Sequence, residues 1–363
     1  MAAFPYINIP FNAQLPLTGS ENLLVAQDGV LRKTSVQTVA DLAVGTPVVL
    51  AGELFVAKNG SDVSGTGSLS KPYATIAAAL TAASANYAAT DFVRINVAPG
   101  EYPAATSITR HRTSVVGAGV TADDRATKIG PVTVDCASAT QKYNDVVAIG
   151  NLLIESNEAK PALKVTGTGL FSVDVASAYI TTGQAAQNAV LCDASHVSKV
   201  RVYLRNCVVT KQSLASADVV RFVRGDARIE STQVYASVSG TGNGISFENN
   251  AVGLLDRLLV DISTVGAAVR ANLAFATAAA PLVISNSSLT SSAATSSCLR
   301  LANTLSLAAL VWQTIFTKTL SGAGEYAIDG TSNGSTLTLL SGNMAFTSNS
   351  TISGVTRVGM TIV

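Results

Sequence analysis

Glu230 and Asp256 are two carboxylates in the second half of the chain. Two carboxyl groups held close together are the equipment of a retaining glycosidase, one acting as acid and the other as nucleophile. Tyr203 and Trp312 offer rings on which a sugar can stack, and Arg205 offers a positive flank. A second set is basic: Lys164, Arg221, Arg270 and Arg300 suit an acidic glycan or an acidic protein surface. Scattered along the sequence, these side chains can cooperate only if the fold gathers them.

A repeat supplies the gathering. The pattern is apolar, any, apolar, any, then a small or polar residue. It reads Val147-Ala-Ile149-Gly-Asn151, Val173-Asp-Val175-Ala-Ser177, Val202-Tyr-Leu204-Arg-Asn206 and Ala227-Arg-Ile229-Glu-Ser231. It continues through Gly253–Arg257, Leu282–Asn286, Ala309–Gln313 and Thr338–Gly342. The fifth positions are 151, 177, 206, 231, 257, 286, 313 and 342, so the steps are nearly constant. An alternating pattern repeated at such a period predicts a β-solenoid.

Stacking the repeats turns the sequence into a surface map. The outward pairs are Asp174 with Ala176, Tyr203 with Arg205, Arg228 with Glu230, Leu254 with Asp256, Val283 with Ser285, and Leu310 with Trp312. Glu230 and Asp256 become column neighbours, with Arg205 one rung before them and Trp312 two rungs after. Inward residues Val175, Leu204, Ile229, Leu255, Ile284 and Val311 form one interior column. A second apolar strand follows at a nearly constant offset, with outward positions 164, 191, 221, 246, 270, 300 and 329. This predicts at least two sheets per coil and places the four bases on one face. Eight rungs would span roughly 35 to 40 Å. Asn206 and Asn286, at the bend after the strand, tolerate left-handed backbone.

The stretches before the coils differ. Residues 1–50 hold Pro5, Pro10, Pro16 and Pro47, which suit an extended arm. Asp28-Gly29 between two apolar runs predicts a hairpin, and Thr34-Ser35 before Val36, Val39 and Leu42 predicts a capped short helix. Within residues 51–120, Leu54–Ala57 and Phe92–Val97 read as strands. Tyr73 to about Ala85 reads as a helix with Ile76, Leu80 and Ala83 on one face. Residues 121–363 hold the coils and the C-terminal end.

The entry stretch resembles a known family. Asn59-Gly60-Ser61-Asp62, Gly65-Thr-Gly67-Ser68, Lys71-Pro72-Tyr73-Ala74-Thr75-Ile76, Ala98-Pro99-Gly100-Glu101-Tyr102 and Gly117-Ala118-Gly119 resemble the start of a pectate-lyase-like right-handed parallel β-helix. The variant found in bacteriophage tailspikes and tail fibres is the most similar. In that family the helix caps the open end of the β-helix. Leu24-Val25-Ala26-Gln27-Asp28-Gly29 resembles the N-terminal hairpin of phage tail fibres. The resemblance implies a virion protein, attached to other virion proteins through residues 1–50 and assembled as a homotrimer.

Bulk properties narrow the function classes. Charged residues are 13% of the chain, half the usual share, and hydrophobic residues are 48%, so much apolar surface needs covering. Outward Leu191, Leu254, Val283, Leu310 and Leu339 point to burial against copies of the chain. A net charge of +1 gives no clustered cationic excess for nucleic acid. The four cysteines have no CxxC spacing and read as buried free thiols. There is no run of about 18 apolar residues to predict membrane insertion, and Met1-Ala-Ala-Phe-Pro5 lacks the marks of a signal peptide. That predicts synthesis in a cytoplasm without the standard export route; residence in the virion is what the resemblance implies.

Other chemistries find less support. Asp193, Asp218 and Asp226 are too scattered for the calcium site of a polysaccharide lyase. Asp123-Asp124 beside Arg125 is a loop charge cluster, His111 and His196 fall at unrelated repeat positions, and no Gln and Asp motif of the esterase branch is matched. No metal or cofactor is expected. The column Arg205, Arg228, Glu230, Asp256 and Arg257 reads as a charge ladder. Taken with the resemblance, the reading is a tail fibre or tailspike that attaches to the particle and contacts the host surface, with a host surface polysaccharide as a candidate partner, and not an enzyme. A capsid decoration protein and a depolymerase built on Glu230 and Asp256 are the alternatives.

Overall fold

The computed structural model describes residues 22–27, 30–35, 50–120, 126–141, 144–195, 200–212, 216–236, 240–248, 251–263, 266–272, 282–292, 296–301, 309–318, 326–329, 345–346 and 351–353. Contacts divide the chain into two units, Met1–Val49 and Leu50–Val363. In the first unit, Asn22–Gln27 pairs antiparallel with Val30–Ser35, from Gln27 opposite Val30 to Asn22 opposite Ser35. This is the hairpin expected around Asp28-Gly29. The proline-rich arm and the helix expected over 36–42 lie outside the described residues.

The second unit is a parallel β-helix. Among the described residues, three sheets of ten strands each run along it, and each full coil gives one strand to each sheet. One coil reads Phe171–Ala176, Tyr179–Thr182 and Val190–Ala194. The next reads Val200–Arg205, Val208–Lys211 and Val220–Arg224. All rung-to-rung pairs in these sheets are parallel, the arrangement whose crossovers are right-handed. The expected registers hold: Asp174 lies opposite Tyr203, Tyr203 opposite Arg228 and Arg228 opposite Leu254. Lys164, Leu191, Arg221, Ser246, Arg270, Arg300 and Asp329 follow one another in a single column. The eighth repeat, Thr338–Gly342, lies outside the described residues.

The structure has one sheet more per coil than the two that the offset suggested as a minimum. The extra sheet consists of four-residue strands such as Leu153–Ser156, Val208–Lys211 and Gln233–Ala236. Each begins just after the first-sheet strand ends, so sequence shows one continuous apolar run. The corner between them is a single residue in the left-handed region. Asn151, Ser177, Asn206, Ser231, Arg257, Asn286 and Gln313 have φ between 45° and 52°. These are the fifth positions of the repeat.

Apolar columns fill the interior. Val175, Leu204, Ile229, Leu255, Ile284 and Val311 are each fully buried, which stabilises the fold by about 1.5–3 kcal/mol per large side chain. Phe222 and Phe247 stack on successive rungs with centroids 5.5 Å apart. All four cysteines are buried and none forms a disulfide. Burial pushes the thiols of Cys136 and Cys192 up to about 12, so they stay protonated and act as small apolar groups.

The entry is built around the helix Ile76–Asn86, which buries Ile76, Ala79, Leu80 and Ala83 in the common core. It starts later than expected, at Ile76 and not at Tyr73. Tyr73 is taken instead by the first strand, its N–H bonded to the Phe55 carbonyl at 2.9 Å. Thr75 caps the helix by accepting from the Ala78 N–H at 3.1 Å. Asp62, from the Gly/Ser loop, accepts from the Ala74 and Thr75 N–H groups at 2.8 and 3.0 Å and from the Thr75 hydroxyl at 2.8 Å.

Candidate functional site

The outer face of the first sheet presents three columns between the rungs of Asp174 and Asp256. In the first column, Arg201 meets Asp226 through Nε and Nη2, both at 2.5 Å. Both side chains are largely buried, which makes this a desolvated, paired charge. In the second column, Tyr203 lies between two guanidinium groups, with Arg201 at 5.7 Å and Arg228 at 5.8 Å from its ring. Its hydroxyl accepts from Arg201 Nη1 at 3.1 Å. Arg205, in the third column, grips Asp174 with Nε at 3.0 Å and with Nη2. That grip raises the Arg205 guanidinium above its ordinary value.

Arg228 is the exception in this ladder. Its guanidinium lies against the Tyr203 ring, its buried Nε has no hydrogen-bond partner, and it forms no ion pair among the described residues. It is a held cation with its fork unclaimed, a fitting group for a carboxylate or for sugar hydroxyls.

Glu230 and Asp256 are register partners on adjacent rungs, as expected. Arg257 approaches Glu230 at 3.7 Å and Asp256 at 3.5 Å. Asp256 accepts from the Ser285 hydroxyl and the Asn286 amide, each at 2.8 Å. Burial pushes its carboxyl up, but these bonds and Arg257 outweigh it and leave the group below the ordinary aspartate value. An ionised Asp256 suits the nucleophile or base of a carboxylate pair, not its acid. Trp312 stands two rungs on and is 50% exposed.

The third-sheet bases share their column but not their freedom. Arg221 pairs with Glu248 at 2.8 Å and Arg300 with Asp329 at 3.5 Å. Leu191 separates Lys164 from Arg221, and Ser246, fully buried, is bonded to Asp218. Lys164 and Arg270 are half-buried. The apolar outward residues Leu191, Leu254 and Val283 are also half-buried within the single chain, so they are less exposed than the pattern suggested. Side chains of Leu310 and Leu339 lie outside the described residues, as do His196 and Asp123–Arg125.

Sequence reasoning found the Glu230, Asp256 and Tyr203 columns but missed the Arg201–Asp226 pair. The signal was available: positions 146, 172, 201 and 226 stand two before the outward series 148, 174, 203 and 228, and strand alternation puts both series on one face. It was masked because the repeat was read from its first apolar residue.

No family model matches the chain, and no curated protein matches it. Among solved structures, it is similar to a pectin methylesterase from Aspergillus niger (14% identity, TM-score 0.46, covering 86% of this chain and 91% of that one). It is also similar to the pectin methylesterase of carrot (13% identity, TM-score 0.46, 85% and 88%). A third is ORF18 of Geobacillus virus E2 (12% identity, TM-score 0.33, 91% and 69%). These likenesses are too distant to carry activity over. They do correct one expectation. The chain was expected not to be an enzyme because its charged column reads as a ladder, yet similar solved structures are pectin methylesterases. Absence of catalysis therefore does not follow from this fold.

Proposed function

We propose that this chain is a bacteriophage virion protein, a tail fibre or tailspike, that engages a host surface polysaccharide along the outer face of its first sheet. Its N-terminal unit attaches it to the particle and three copies form the shaft. The observation that carries the proposal is the fixed ladder around Tyr203. Ion pairs lock Arg201 and Arg205, so Arg228 and the ring edge are presented in a set geometry with little ordering left to do on binding. Support for the phage setting is the resemblance of residues 24–29 and 54–119 to tailspike and tail-fibre sequences. Support for threefold assembly is the same resemblance, with Leu254 and Val283 stacked on adjacent rungs and only partly covered.

Labelled antibody against the chain is expected to decorate tails of intact particles; label on the head would support capsid decoration instead. Purified protein is expected to bind host surface polysaccharide, and Arg228→Ala is expected to weaken it about tenfold. Reducing ends and released methanol or acetate, measured in the same samples, read whether a glycosidic bond or an ester is cut.

A further inference from the structure

A groove of about 380 Å³ follows the corner between the first and second sheets, beside the face described above. One wall is the row of left-handed corner residues Ser231, Arg257, Asn286 and Gln313, with φ of 48°, 52°, 49° and 45°. The other wall is the row of residues that open the second-sheet strands on the same four rungs: Gln233, Leu259, Ser288 and Ile315. Register places each row along the helix axis with one member per rung, about 4.8 Å apart. A repeating wall of this kind matches a repeating ligand.

The chemistry of the walls names the ligand. Hydroxyl, carboxamide and guanidinium groups share the lining with Leu258, Leu259 and Ile315, and more of the exposed surface is apolar than polar. Arg257 is held by Nε to the Ser231 hydroxyl at 3.0 Å and lies near both Glu230 and Asp256, so its charge is compensated and the groove is no anion site. Asn286 donates Nδ2 to Asp256 at 2.8 Å, which fixes its amide with the carbonyl oxygen still able to accept. The Gln313 amide has no partner among the described residues. Ile315 is 46% exposed, and Trp312, next to Gln313, is 50% exposed. Ile315 is the apolar platform at one end of the groove, and Trp312 stands beside it on the first-sheet face. Oriented amides and hydroxyls beside an isolated ring and alkyl side chain suit the mixed polar and apolar faces of a sugar.

We infer that this corner groove binds a neutral polysaccharide lying parallel to the helix axis, with Ile315 against a sugar face, Trp312 flanking it from the first sheet, and Asn286 and Gln313 bonding its hydroxyls. The inference rests on the polysaccharide reading given above and assigns it a second contact line.

Trp312 is the only tryptophan of the chain, so selectively excited tryptophan emission reports on the border between this groove and the first-sheet face, and the two corner variants assign a change to the groove. The full-length protein is screened on an array of neutral and acidic bacterial capsule and O-antigen oligosaccharides. The best neutral binder is then titrated while Trp312 emission and bound sugar are both recorded. Saturable change in emission that tracks bound sugar is expected. Asn286→Gly and Gln313→Gly, which keep the left-handed corner free of strain, are expected to weaken binding at least tenfold with unchanged thermal midpoints. Sugar that binds without moving Trp312, and equally well in both variants, overturns the groove and leaves the polysaccharide reading standing. No binding anywhere on the array overturns both. Emission that follows protein concentration and ignores sugar places a second copy in the groove and overturns the inference.

Discussion

Lys211 is fully buried in the coil interior, where its Nζ donates to the carbonyls of Ala185 and Ala217 at 2.7 and 3.0 Å. Burial pulls its ammonium down to about 8, with Asp218 opposing the shift. The folded value lies below the ordinary 10.5. Between those pH values the unfolded chain binds more protons, so stability rises as pH rises through that window. The thermal midpoint of the wild type is expected to gain on that of Lys211→Met between pH 7 and pH 10. Parallel pH profiles for the two proteins would refute the assignment. The Ala185 carbonyl also accepts from Ser216 and Ala217, so removing the amine does not orphan it. At Arg201, removal of the carboxylate leaves a largely buried cation unpaired. Asp226→Ala is expected to cost about 2–3 kcal/mol, measured by urea unfolding. Sequence placed Glu230 beside Asp256 because rung stacking alone decides that. Extending the outward series by two positions also sets Asp226 beside Arg201, but that the two pair and that Arg228 is left without a carboxylate depends on rotamers chosen in three dimensions.

The coil corner is the element on which the architecture turns. One left-handed residue per rung bends the chain from the first sheet into the second, and asparagine, serine, arginine and glutamine all occupy it. Asn206→Val is expected to cost about 1–2 kcal/mol in chemical denaturation, because a β-branched side chain resists positive φ. Asn206→Gly is expected to be near neutral; equal losses in both variants would show that the amide, not the backbone, matters. The entry helix depends on a different device. Asp62→Ala removes three hydrogen bonds at the helix start and is expected to lower stability by about 1–2 kcal/mol, read in the same assay. The helix face Ile76, Leu80 and Ala83 was legible from its spacing. The cap was not, since Asp62 reaches Ala74 and Thr75 from a separate loop upstream.

A coil contacts mainly its neighbours, so the second unit grows by nearest-neighbour stacking and has no single centre. Its long faces are therefore natural places for extended ligands and for copies of the chain. Light scattering on the purified protein is expected to give three times the 37.1 kDa mass of one chain; the mass of a single chain would remove threefold assembly. Leu50 marks the start of the stacked unit, close to the composition change seen at residue 50.

The sequence by itself determined the solenoid, the register of two columns per coil, the inward apolar stack and the N-terminal hairpin. Each follows from strand alternation and a fixed period, which are local and one-dimensional. Tertiary structure decided the third sheet, because a one-residue corner leaves no mark in an apolar run. It also decided which charges are spent on one another and which stand open. Arg205 is held by Asp174 across a rung, while Arg228 lies on Tyr203 with its Nε unpartnered. Pairing among charges is a competition between neighbours in space, and only the folded geometry settles it.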